Sequence, residues 1–74
     1  MNDGFEKEIL KIISEKLLVK KEEIVLFFQG KVDDPIKISN EIIKNLLAQN
    51  LIAVAPVGAS TYAVTQKGMR AAKV

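Results

Sequence analysis

Seventy-four residues and 8.2 kDa hold one small domain, 1–74, with no repeat, low-complexity tract or linker inside it. The chain has no Cys and no His, which excludes a disulfide framework, a thiolate zinc site and the usual general base or nucleophile pair. It is 49% hydrophobic and 27% charged with a net charge of +2, an ordinary globular mixture, so the expected work is binding rather than catalysis, with no cofactor.

The first element is an amphipathic helix. Asp3 stands where a side chain caps free amides, and Glu6 follows three residues on. Phe5, Ile9, Ile12, Ile13 and Leu17 recur at 3.6-residue spacing, with Glu6, Lys7, Lys11, Ser14 and Glu15 on the other side. The next segment, Glu22 to Phe28, is apolar all round and fits either a short helix or a buried strand. Lys20-Lys21-Glu22-Glu23 ahead of it are good helix formers with acids at the starting end, which favours a helix stopping near Gln29-Gly30.

The third segment carries the clearest signal. Asp33-Asp34-Pro35 reads as an N-cap followed by proline at the first helical position. Ile38, Ile42, Ile43, Leu46 and Leu47 gather on one face, and Lys37, Asn40, Glu41, Lys44 and Asn45 on the other. Ser39 lies towards the apolar side, as a local hydrogen-bonder. Asn50 suits a left-handed stop. Leu51 to Ala55 and Thr61 to Val64 then read as two strands joined through Pro56 and Gly58. Thr65 caps a last helix through Gln66, Lys67, Met69, Arg70 and Lys73, with Gly68 inside it. The predicted class is α+β: three helices, a two-stranded hairpin and a short C-terminal helix.

Charge divides along the chain. Residues 1–41 hold nine acids against seven Lys, a net of −2, whereas residues 42–74 hold four cations and no acid. A polyanion partner would select such a distribution.

Ile38-Ser39-Asn40-Glu41-Ile42-Ile43-Lys44-Asn45-Leu46 followed by Asn50-Leu51-Ile52, and then Tyr62-Ala63-Val64-Thr65-Gln66-Lys67-Gly68, resemble the winged helix-turn-helix fold. The second phrase is similar to the "Leu-Thr-x-Lys-Gly" string of MarR-like and related archaeal regulators, with Val64 in place of Leu. The resemblance implies a transcriptional regulator that binds double-stranded DNA, with the helix at about 35–50 in the major groove; the composition suggests a cytoplasmic protein, and the small contact area of one such module, about 600–1,000 Å², a homodimer. The resemblance also implies contacts from Lys37, Asn40, Glu41, Lys44 and Asn45 on that helix, from Ser60 and Thr61 in the hairpin, and from Lys67 and Arg70 after it. The chemistry agrees, since Lys neutralises phosphate and Asn matches adenine. The hairpin from Val54 to Thr61 has no Lys or Arg, however. In size, and in the apolar hairpin running through Gly58-Ala59-Ser60-Thr61-Tyr62, the chain also resembles the small winged-helix accessory protein of dissimilatory sulfite reduction. That likeness implies a protein-interaction module whose partner docks on the apolar hairpin 54–61.

Overall fold

The computed structural model describes residues 3–58 and 60–72, with no side-chain placement for Asp3. The cap assigned to Asp3 and the hairpin and tail roles of Ala59 and Lys73 therefore lie outside the described residues. The chain runs α1 (Asp3–Lys16), β1 (Leu18–Lys20), α2 (Lys21–Phe28), α3 (Pro35–Ala48), β2 (Ile52–Val54), β3 (Thr61–Val64) and α4 (Gln66–Ala72).

The fold is α+β, as expected, but the sheet has three strands rather than two. All pairings are antiparallel and the order is β1-β3-β2. The added strand, β1, is inserted between α1 and α2. Leu17 makes this possible. Its N–H donates the last helical hydrogen bond, to Ile13 O at 2.7 Å, and its φ of +70° then swings the chain out of the helix. That conformation costs a Leu on the order of 1–2 kcal/mol. The turn also removes Leu17 from the apolar face expected of α1, leaving it 55% exposed, while Leu10 is buried beside Ile9 and Ile13.

The segment with two readings, Glu22 to Phe28, is helical. Ile24 and Phe28 point into the core, whereas Leu26 faces out, so α2 is less uniformly buried than its composition implies. Phe28 stacks edge-to-face on Phe5 and on Phe27 at 5.1 and 5.0 Å between ring centres. Gly30, at φ +82°, turns the chain away after α2. Ile42, Ile43 and Leu46 of α3 close the core against Ile9, Ile13, Val19, Ile24, Phe28 and Ile52. Burying each such side chain contributes about 1.5–3 kcal/mol.

Candidate nucleic-acid interface

The outward face of α3 exists because its other face is fixed. Asp34 is the N-cap, its Oδ1 accepting the Lys37 N–H at 3.1 Å, with Pro35 beginning the helix. Ile42, Ile43 and Leu46 are buried, and Asn50 ends the helix at φ +62°. That anchoring leaves Lys37, Asn40 and Lys44 exposed on one stripe at positions i, i+3 and i+7. The two lysines stand about 10 Å apart along the axis. Neither makes an ion pair among the described residues. Ser39 is fully buried, as the helical wheel requires, but its hydroxyl has no hydrogen-bond partner among the described residues, so the local bond expected of it is not formed.

The remaining residues singled out in the sequence are placed less uniformly. Glu41 is half-buried and already engaged. Asn45 is exposed, but its Nδ2 donates to Glu6 Oε2 at 3.0 Å, which draws the amide towards α1. Thr61 is only 7% exposed, so its place in an outward contact surface is corrected. The reason is that it starts β3 beneath the connecting turn, where a side chain at Gly58 would meet its hydroxyl at 3.7 Å. Ser60 is exposed in the left-handed region at φ +59°, and its carbonyl accepts the Lys21 N–H at 2.8 Å.

Lys67 and Arg70 are exposed on α4, which is tied to the far end of α3. The Thr65 hydroxyl donates to Asn50 O at 2.7 Å and lies 3.0 Å from Leu51 O, and it accepts the Gly68 N–H at 3.0 Å. The Thr65 N–H donates to Leu51 O at 3.1 Å. Gly68 is a packing requirement, because a Cβ there would sit 2.0 Å from Leu51 O. These contacts give the Thr-Gln-Lys-Gly phrase a structural origin. Measured along α3, Asn50 lies about 20 Å from Lys37, so α4 begins beyond the opposite end of α3 from that lysine.

Two residues missed in the sequence stand beside the hairpin. β1 pairs with β3 so that Lys20 lies opposite Thr61, and Lys21 follows it. Both had been read only as helix formers ahead of α2. The nearby acid Glu23 is occupied: its carboxylate accepts the Lys20 backbone N–H at 3.0 Å and pairs with Lys16 Nζ at 2.9 Å. Those two contacts, the backbone N–H foremost, hold its carboxyl below the usual carboxylate range.

The hairpin itself is apolar where it faces out. Val54 is 62% and Val57 73% exposed. Among the described residues there is no cluster of acids able to hold a metal ion, and no helix is long and apolar enough to cross a membrane. Comparisons with protein-family models, curated proteins and solved structures give no significant match.

Proposed function

We propose that this chain is a winged helix-turn-helix domain that binds double-stranded DNA as a homodimeric regulator, with α3 in the major groove. One observation carries the reading: Lys37, Asn40 and Lys44 stand together on an outward stripe while the opposite side of the same helix is locked in the core. A groove-reading helix needs that division, with donors facing phosphates and base edges and an apolar face holding the helix to the body. The hairpin formed by β2 and β3 directly after α3 agrees with it.

Titration of a labelled duplex at several salt concentrations tests the proposal. Log K falls linearly with log salt, and Lys37→Ala and Lys44→Ala each flatten the slope by about 0.9 per protomer bound. Absence of binding even at low salt overturns it.

The exposure of Val54 and Val57, in a hairpin without cations, favours a second reading as a protein-interaction module. Under that reading a defined protein co-purifies with the chain, Val57→Ser releases it, and Lys44→Ala has no effect.

A further inference from the structure

A hairpin flanking a duplex needs positive charge to meet the phosphates, and residues 54–61 have none. The third strand places charge beside it. Lys20 ends β1 opposite Thr61, and the Lys21 N–H is bonded to the Ser60 carbonyl. Lys20, Lys21 and Ser60 consequently rim one shallow depression together with Glu22. Lys21 and Glu22 also border the adjoining groove lined by Val25, Leu26 and Ile36, and Ile36 immediately precedes Lys37 at the start of α3. Lys21 therefore stands between the hairpin and the groove that reaches the first turn of α3.

The charges beside the hairpin are available. Lys16 is held by Glu23, and Lys31 donates to Phe27 O at 2.9 Å while lying 4.4 Å over the Phe27 ring. Lys20 and Lys21 make no ion pair among the described residues. Of the two acids next to them, Glu23 is bound by Lys16 and by a backbone N–H, which leaves Glu22, exposed on the same rim.

We infer that Lys20 and Lys21 supply the phosphate contacts that the hairpin lacks, extending the α3 stripe into one cationic track from Lys44 through Lys37 and Lys21 to Lys20 and the Ser60 hydroxyl. This rests on the DNA-binding reading. Two consequences separate it from a structural role for these lysines. Removing them lowers the number of phosphates neutralised, and removing the Glu22 charge has the opposite effect on affinity.

The test is duplex titration against salt for the wild type, Lys44→Ala, the double variant Lys20→Ala/Lys21→Ala and Glu22→Gln, with thermal melts confirming that each is folded. The double variant is expected to flatten the salt slope by about 0.9 for each lysine in each protomer bound. Glu22→Gln is expected to tighten binding at low salt by about two- to threefold, an increment on the scale of one surface charge. Both effects are required, so either one missing in a folded variant overturns the inference. If Lys44→Ala flattens the slope while the double variant does not, the hairpin track fails and the α3 reading stands. A wild type that does not bind overturns both.

Discussion

α3 and α4 begin alike and are held differently. Each starts at a side-chain cap, Asp34 to the Lys37 N–H and Thr65 to the Gly68 N–H, and each carries exposed cations. α3 has 14 residues and is anchored by a buried apolar stripe, which leaves Lys37, Asn40 and Lys44 on the outside. α4 has seven residues and is anchored by backbone approach, with Gly68 against Leu51 and Thr65 bonded to the last carbonyls of the α3 turn. Two helices that start at the same kind of cap are thus under different constraints. In α4 the motif residues hold the fold, whereas in α3 the anchoring residues free a surface.

Substitutions that leave one side of this contrast intact sharpen it. The largest effect is expected from Gly68→Ala, which forces α4 off Leu51 and costs about 3 kcal/mol or more. At about 4–8 °C per kcal/mol for a domain of this size, the melting temperature falls by more than ten degrees or folding is lost. An unchanged melting temperature would mean that α4 is not held by close approach. Thr65→Ala, which removes a cap and two carbonyl contacts, is expected to cost about 1–2 kcal/mol in urea unfolding, with Thr65→Ser recovering most of it.

The α3 stripe is expected to behave in the opposite way. Lys37→Ala and Lys44→Ala stay within about 0.5 kcal/mol of wild-type stability while flattening the salt dependence of duplex binding. Lys67→Ala and Arg70→Ala flatten it less, because α4 stands at the other end of α3. Equal slopes for the two sets would break the comparison.

The smallest effect concerns pH. The Glu23 carboxyl titrates below its ordinary value of 4.5 in the folded chain. Its contribution is therefore complete above that value and is lost as pH falls through the lower, folded-state value. The stability difference between wild type and Glu23→Gln should be full at neutral pH and shrink on acidification below about 4.5. A difference that is constant across that range would contradict the ion pair and backbone bond seen at Glu23.

α3 was legible in the sequence because its signals are local: Asp34 and Pro35 set its start, and the 3.6-residue repeat of Ile38, Ile42 and Leu46 sets its face. The hairpin and the Thr65 cap were legible for the same reason. β1 was not. Leu18-Val19-Lys20 shows a single exposed-buried-exposed alternation, too short to read, and it becomes a strand only by pairing with Thr61 to Ala63, more than 40 residues later. The placement of Lys20 and Lys21 beside Ser60 follows from that pairing, so no local pattern announces it. α2 had two readings because Leu26 and Val25 are apolar without being buried. Gly68 looked like a flaw in a helix because the carbonyl that demands it belongs to Leu51, 17 positions earlier.

The central prediction is that the outward face of α3 meets DNA. Titration of isotopically labelled protein with duplex DNA, followed residue by residue through amide chemical shifts, asks this directly. The largest changes are predicted at Lys37, Asn40, Glu41 and Lys44, with a second group at Lys20, Lys21 and Ser60 and little change along α4. Shifts confined to Val54, Val57 and their neighbours, or no shifts at low salt, would contradict it.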